Sequence, residues 1–187
     1  MTAKYWVANN PNSEITDAKA MSLKMLSATG GAYIPILGPA TALPASGSVL
    51  TKNTYYAEDT TTTEAFLLPT IANSTAGDWI VVRDTAGLAD GEYITIGSAA
   101  NGDFAVGCHL TGINVTATAS SESVDISEAG DNSVIMDGLT NGSGGAGSYV
   151  AFVFNGTAWT ASGVSRNIGN GTAATVGANA MRFAATA

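Results

Sequence analysis

SYVAFVFNGTAWTA is the sequence of residues 148–161, and it carries the strongest structural signal in the chain. Apolar and β-favouring residues run from Ser148 to Phe154 and resume at Thr157. Between them lies Asn155-Gly156, a dipeptide that favours the positive backbone angles of a two-residue hairpin turn. The stretch therefore predicts two antiparallel strands joined by a tight turn.

Shorter strand candidates precede this hairpin at intervals of about 8–12 residues, with turn signals such as Asp90-Gly91 between them. Long helical patterns do not alternate with the strands, so a parallel α/β sheet is not expected. The sequence predicts an all-β fold, an antiparallel β-sandwich of jelly-roll type with extended N- and C-terminal arms. The candidate strands are Val49–Tyr56, Ala65–Leu68, Asp78–Asp84, Glu92–Gly97, Phe104–Leu110, Ile113–Thr118, Ser123–Ile126, Ser133–Met136, Ser148–Phe154 and Thr157–Ala161.

Three regions are expected along the chain. Residues 1–48 form an N-terminal arm; Ser13 can cap a short helix over Ser13–Ala28, and the Gly- and Pro-rich stretch 30–48 predicts an extended connector. Residues 49–165 form the β-sandwich domain. Residues 166–187 are small and polar, so we expect a tail that lies against a neighbouring subunit rather than a core of its own.

Charge is distributed unevenly along the chain. Residues 1–52 carry four lysines against two acids, residues 53–165 carry one arginine against thirteen acids, and residues 166–187 carry two arginines and no acid. Two explanations stay open. The acidic middle keeps an abundant protein soluble, or the two basic ends dock onto an acidic partner while the middle faces solvent.

Composition excludes several classes of protein. A net charge of −8 with seven basic residues argues against a nucleic-acid partner. A single cysteine excludes a disulfide scaffold. No apolar run approaches the roughly 18 residues of a membrane span, so no membrane partner is expected. The first 30 residues lack the apolar stretch of a secretory signal, so we expect a protein that is made and kept in a cytoplasm, or released only by lysis.

Residues that could support catalysis are few. His109 is the single histidine, and Cys108 precedes it directly. Neighbours on a strand point to opposite faces, so a Cys–His dyad is not expected, and Cys108 is interpreted as a small buried residue. The run Gly142–Gly147 matches a dinucleotide-binding pattern, but a strand follows it where a helix is required, so it predicts a flexible hairpin loop.

Acidic and aromatic side chains are the remaining candidates for ligand contacts. Asp84, Asp90 and Glu92 surround one turn and Asp131 and Asp137 another, but the tight spacing of a calcium loop is missing, so solvated turn carboxylates are expected.

Trp79 and Trp159 lie in strand patterns and are expected in the core. Tyr5 and Trp6 lie outside any evident core, and either pack on their own domain or insert into a partner. No catalytic residue, metal or cofactor is predicted.

Several of these stretches together resemble a β-domain of tailed-bacteriophage virion proteins, which include capsid decoration (cement) proteins, head fibres and tail fibres. The pattern is a Leu-Pro step, a Gly followed by an apolar strand, an Ile-Thr-Ile strand, and a closing hairpin with Gly-Thr-x-Trp. The resemblance covers roughly residues 50–162. The matching residues are Phe66–Pro69, Ala76–Asp84, Tyr93–Ile96, Asp137-Gly138 and Tyr149–Trp159.

This resemblance implies a non-enzymatic virion protein and a homotrimer. The chain lacks a long shaft or repeats, which favours a capsid decoration protein on the outside of a phage head, bound to the major capsid protein. On this hypothesis residues 1–45 and the tail make the contacts, since extended arms cover a large area per residue. The candidate partner-binding residues are Tyr5, Trp6, Lys19, Lys24, Arg166, Arg182 and Phe183.

The main alternative is a short head or tail fibre that recognises a host glycan. A polysaccharide-degrading spike would need a cleft lined by two or more carboxylates, and nothing in the sequence indicates one. A self-assembling bacterial surface protein is disfavoured by the missing export signal.

Overall fold

The structure is a computed structural model that describes residues 40–58, 62–88, 92–98, 103–115, 120–137, 144–168 and 181–185. Within these ranges the chain forms ten strands. The described residues belong to one unit, Ala40–Ala187, and apart from a 3₁₀ turn at Ile71–Asn73 they contain no helix, which confirms the predicted all-β class. The strands are β1 (Thr54–Glu58), β2 (Glu64–Leu67), β3 (Trp79–Asp84), β4 (Tyr93–Gly97), β5 (His109–Val115), β6 (Ser120–Ile126), β7 (Ser133–Asp137), β8 (Gly144–Phe154), β9 (Trp159–Ile168) and β10 (Met181–Ala184).

The strands form two sheets that share one core. A six-stranded sheet has the order β1-β3-β8-β9-β5-β6, and a four-stranded sheet has the order β10-β7-β4-β2. Alternate side chains of both sheets enter the same apolar cluster, with Phe104 contacting Phe152 of one sheet and Phe183 of the other. The architecture is that of a β-sandwich.

Three strand pairs are parallel, which corrects the expectation of a purely antiparallel sandwich. The parallel pairs are β1·β3, β2·β4 and β5·β9. Parallel neighbours need a crossover connection, and a helix is the usual one. Here a strand of the opposite sheet supplies the crossover in two of the three pairs. Along the chain, β2 follows β1 and precedes β3 but belongs to the four-stranded sheet, and β3 follows β2 and precedes β4 but belongs to the six-stranded sheet. The two crossovers therefore interlock the sheets.

Trp159 joins two distant stretches of the sequence, the Leu-Pro step and the Gly-Thr-x-Trp hairpin. Its side chain is fully buried, its ring packs on Phe154 with centroids 5.4 Å apart, and its indole N–H donates to the carbonyl of Pro69 over 3.0 Å. The Leu-Pro step and the Gly-Thr-x-Trp hairpin are therefore in contact inside the core. Trp79 is also buried, at 5% exposure, but it lies on the face of β3 that carries Arg83 and is not part of the shared core cluster, so only Trp159 lies in that cluster as predicted.

Two local expectations need correction. Residues 144–147 of the glycine run do not form a hairpin loop: they begin β8, whose pairing with β9 shifts register between Gly145 and Tyr149, and Gly147 has φ +100° at that irregularity. The two weak candidates Phe104–Leu110 and Ile113–Thr118 are replaced by the single strand β5. A glycine on a central strand does not end it when both neighbouring strands supply hydrogen bonds, as they do at Gly112.

The sandwich extends beyond residues 49–165 at both ends. Thr41 pairs with β1, Gly47 and Leu50 pair with β2, and Leu50 is 1% exposed in the core. At the other end β9 continues to Ile168, and β10 adds an edge strand to the four-stranded sheet. The predicted helix over Ser13–Ala28 lies outside the described residues.

Candidate functional site

The outward face of the six-stranded sheet is the best-developed candidate surface. Cα register places Arg83 beside Tyr149, Tyr149 beside Val164, and His109 beside Ile126, all on the face opposite the core. Five of its exposed side chains are large or charged or carry an imidazole ring, and we call them the outer sheet face: Arg83, His109, Val124, Ile126 and Tyr149. Val124 is 53% exposed, Ile126 58% and Tyr149 41%. Large apolar side chains on a solvent-facing sheet are a feature of interaction surfaces.

Arg83 is the single basic residue between residues 53 and 165. The register irregularity in β8 runs beside it, since a Cβ built on Gly147 would lie 3.9 Å from Arg83 Nη2. A cation and an aromatic ring next to each other on an exposed face can bind anionic or sugar groups. This is the strongest polar feature of the outer sheet face.

Asp125 has the opposite orientation from Val124 and Ile126. It points to the core side of β6, where its Oδ2 accepts the backbone N–H of Phe183 over 2.6 Å. Since β6 ends the six-stranded sheet and β10 ends the four-stranded one, this hydrogen bond fastens the two sheets together along one side. Simple alternation would place Val124 and Ile126 in the core, so sequence reasoning missed these two residues as surface residues.

Asp78 makes a cluster of polar contacts near β1, at the other edge of the six-stranded sheet from β6. Its carboxylate is 2.8 Å from Lys52 Nζ, and it accepts the N–H of Thr75 at 2.7 Å and the side-chain amide of Asn53 at 3.3 Å. Burial alone would raise the pKa of the Asp78 carboxyl, but the three donors stabilise the ionised form and hold its pKa below the usual value. The arrangement fastens the chain before β1 to the turn before β3, and we interpret it as structural.

Two further described carboxylates stabilise turns, and a third binds a distant hydroxyl. Asp84 Oδ1 accepts the N–H groups of Ala86 and Gly87, and Asp131 Oδ2 accepts that of Glu128. Glu92 accepts the hydroxyl of Thr63. Within the described ranges, no group of three or more His, Cys, Asp or Glu side chains is placed to hold a metal ion. Asp90 lies outside those ranges.

Cys108 and His109 diverge as expected. Cys108 is 9% exposed in the core, and its sulfur accepts the N–H of Ala161 at 3.4 Å. His109 is exposed on the outward face of β5. The two side chains therefore cannot act together.

Three of the seven predicted partner-binding residues lie within the described residues. Tyr5, Trp6, Lys19 and Lys24 lie outside the described residues. The backbone of Arg166 is described in β9, opposite Ile113 and Gly145. Arg182 is half-buried on the outward face of β10.

Phe183 belongs to the core. It is 8% exposed and makes an edge contact with Phe104, with ring centroids 6.2 Å apart. Alternation along β10 explains this, because Met181 and Phe183 face inward while Arg182 faces out. We therefore no longer include Phe183 among the residues that contact a partner.

Comparison with known proteins gave no match: no family model, no curated protein and no solved structure is similar to the chain. Among the described residues, no helix has the length and apolar character needed to cross a membrane. The functional argument therefore depends on the sequence pattern and on the geometry of the sandwich.

Proposed function

We propose that this chain is a structural virion protein, a capsid decoration protein that binds the outside of a phage head and stabilises it. The observation that carries the proposal is the phage-like pattern over roughly residues 50–162, whose first and last parts meet at the Trp159–Pro69 hydrogen bond. A pattern whose distant parts meet in the core describes one packing unit, which is a stronger basis for the resemblance than separate short motifs.

The interlocked crossovers also support a stabilising role. Because β2 and β3 each connect parallel neighbours in the opposite sheet, separating the two sheets requires both crossovers to be pulled apart. The described carboxylates hold turns, a sheet edge and the Lys52 ammonium. This use of charge suits a body that resists load, and a major capsid protein and further copies of this chain, as a homotrimer, are the proposed partners.

The capsid contacts are assigned to the chain ends. Residues 40–50 pair with the sandwich, so the proposed N-terminal contact segment shortens from 1–45 to 1–39. At the C-terminal end the candidates that remain are Arg166 and Arg182, since Phe183 is part of the core.

A truncation tests this assignment. The chain from residue 40 onward should fold with the thermal stability of the full chain, because the described pairing begins at Thr41. Purified phage heads that lack the protein should bind the full chain in saturating amounts and bind the truncated chain weakly or not at all, as measured by co-sedimentation. A matched control deletes residues 1–10 only. Full occupancy by the truncated chain would contradict the assignment.

A host-recognition module is the second candidate, and the Arg83–Tyr149 pair favours it. An aromatic ring and a guanidinium on one exposed face form the kind of surface that stacks on a sugar and binds its anionic substituents. A glycan array separates the two functions: a glycan hit that Tyr149→Ala abolishes and Val153→Ala keeps would support recognition. Absence of any glycan signal would leave decoration as the supported function.

A further inference from the structure

The four edge strands of the sandwich are not equally protected. Along β2, the backbone groups of Gly47, Ser48 and Leu50 hydrogen bond with Ala65 and Leu67. Thr41 bonds to both Tyr55 and Ala57 of β1.

On β10, the N–H of Phe183 is bound by Asp125. Within the described ranges no residue pairs with the outer edge of β6, which is the longest of the four edge strands, with seven residues.

The phase of the β5–β6 ladder shows which backbone groups of β6 face outward. The N–H of Ser127 donates to the carbonyl of Cys108, so it points towards β5. In an antiparallel ladder the direction alternates residue by residue, and the register from His109↔Ile126 to Val115↔Ser120 is continuous. The N–H and C=O groups at positions 120, 122, 124 and 126 therefore point away from the sheet.

The same edge is apolar on its solvent side. Val124 and Ile126 combine two features: their backbone groups point away from the sheet, and their side chains are 53% and 58% exposed. Natural edge strands are protected by lysine and other charges, by proline or by an irregularity, and the inward-pointing acid of β6, Asp125, is already bound to the N–H of Phe183. The sequence of β6, SSESVDI, has neither lysine nor proline, and its pairing with β5 is regular.

We propose that the outer edge of β6 is a homotypic docking site, at which β6 of a second copy of this chain adds antiparallel. The pairing joins two six-stranded sheets into one continuous sheet across a two-fold axis. It covers Val124 and Ile126 of both copies and satisfies the outward backbone groups.

The arrangement of charge on β6 argues for a second copy as the occupant. When Ser123 of one copy lies opposite Ser123 of the other, all seven residues of each β6 take part in the pairing. Position 125 of one copy then lies opposite position 121 of the other, and position 124 lies opposite position 122. The acidic positions thus face serine and valine, and no two acids are opposed. Shifting the centre to position 122 or 125 would oppose identical acids, which destabilises a strand pair. The register centred on Ser123 therefore pairs two copies of β6 over their full length without opposing any two acids.

This inference does not depend on the proposed function. A decoration protein could use the contact to link neighbours on a shell, but the pairing rests only on the edge of β6. The two proposals therefore fail independently: loss of head binding leaves the strand pairing in place, and loss of the pairing leaves head binding in place.

The test compares the full chain with Val124→Pro and Val124→Thr by sedimentation velocity over a range of concentrations. Proline at position 124 removes an outward N–H and no β5–β6 hydrogen bond, so it should weaken association by roughly 100-fold while thermal stability changes little. Threonine keeps the N–H and the β-branch, so it should weaken association only several-fold. Hydrogen exchange at the Val124 and Ile126 amides should slow as the wild-type concentration rises.

A third variant keeps the test decisive if Val124→Pro does not fold. Val124→Glu places an acid opposite Glu122 of the second copy, so its association should be weaker than that of the wild type and should recover with added salt. Three results would overturn the proposal: a wild-type chain that stays monomeric at every concentration, association that leaves exchange at the Val124 and Ile126 amides unchanged, or a folded Val124→Pro variant that associates as the wild type does.

Discussion

Single residues hold this sandwich by two different kinds of interaction. Asp78 acts by charge, since its carboxylate gathers an ammonium, an amide and a backbone N–H into one contact. Gly163 acts by its size, because β9 passes close to β8 and to Met181 of β10 at that point. Neither role is visible in the sequence, where Asp78 is one of many turn acids and Gly163 one of 22 glycines.

Asp78→Asn should lower the free energy of unfolding at neutral pH by about 1–2 kcal/mol, because hydrogen bonds to an ionised group are lost or weakened. The pKa of Asp78 is lowered in the folded protein, so the contribution of its charge is complete above the ordinary carboxyl pKa of about 3.9. It is lost as the pH falls through the lowered folded value. Urea unfolding at a series of pH values should show the wild-type and variant curves converging in acid.

Lys52→Met is the matched control for this prediction. Without the ammonium, Asp78→Asn should cost less at neutral pH than it does in the wild type, which a double-mutant cycle measures. Wild-type and Asp78→Asn curves that stay parallel through the acid range would contradict the electrostatic role of Asp78.

Gly163→Ala should destabilise the fold by about 1–3 kcal/mol or more, because the new Cβ would lie 2.6 Å from the carbonyl oxygen of Tyr149 and 2.8 Å from the sulfur of Met181. Gly97→Ala is a matched control on β4, where the nearest atom to the new Cβ is 3.6 Å away. Thermal unfolding should show a large decrease for the first variant and a small change for the second. Equal effects would mean that the close approach at Gly163 is not what requires glycine.

At the level of strands, Asp125 joins the edge strands β6 and β10 by a hydrogen bond. Asp125→Ala should leave the Phe183 N–H without its acceptor in a half-buried position, at a cost of about 1–3 kcal/mol. Hydrogen exchange should accelerate in β10 more than in β3 or β8, because the lost hydrogen bond joins β10 to β6 and does not involve β3 or β8. Asp125→Asn keeps an acceptor oxygen and should have a smaller effect. Uniform acceleration over all strands would contradict a local role for Asp125.

The same strands show what sequence reasoning can and cannot predict. The β8–β9 hairpin and strands β3, β4 and β7 follow from apolar runs with clear turn signals, although the hairpin loop has four residues, 155–158, rather than two. The candidate Ser123–Ile126 falls within β6, but the orientation of β6 does not follow from the sequence, because the partner of Asp125 is a backbone N–H 58 positions further along the chain. A tertiary contact of this kind overrides the alternation that would have buried Val124 and Ile126.

β10 was missed for a related reason. Its four residues, MRFA, are too few to give a strand signal in a polar tail, and they become a strand because β7 offers an open edge. The parallel pairs were missed because no helix indicates a crossover. In this fold the crossover is itself a strand, so its sequence gives no sign of the connection that it makes.

On the scale of the whole molecule, two sheets share one core and are tied together by interlocked crossovers, the Asp125 contact and the Trp159–Pro69 hydrogen bond. The all-β class followed from the sequence, while the chemistry of partner recognition did not, because four of the seven candidate residues lie in residues 1–39. The described structure adds two features that the sequence had not indicated, the outer sheet face and the open edge of β6.

The number of copies in each virion is the measurement that tests the decoration proposal most directly. Quantitative mass spectrometry of purified particles gives the ratio of this chain to the major capsid protein. The account predicts hundreds of copies in a fixed ratio to the shell lattice. A handful of copies at one vertex would assign the chain to a fibre, and its absence from purified virions would contradict a structural role in the particle.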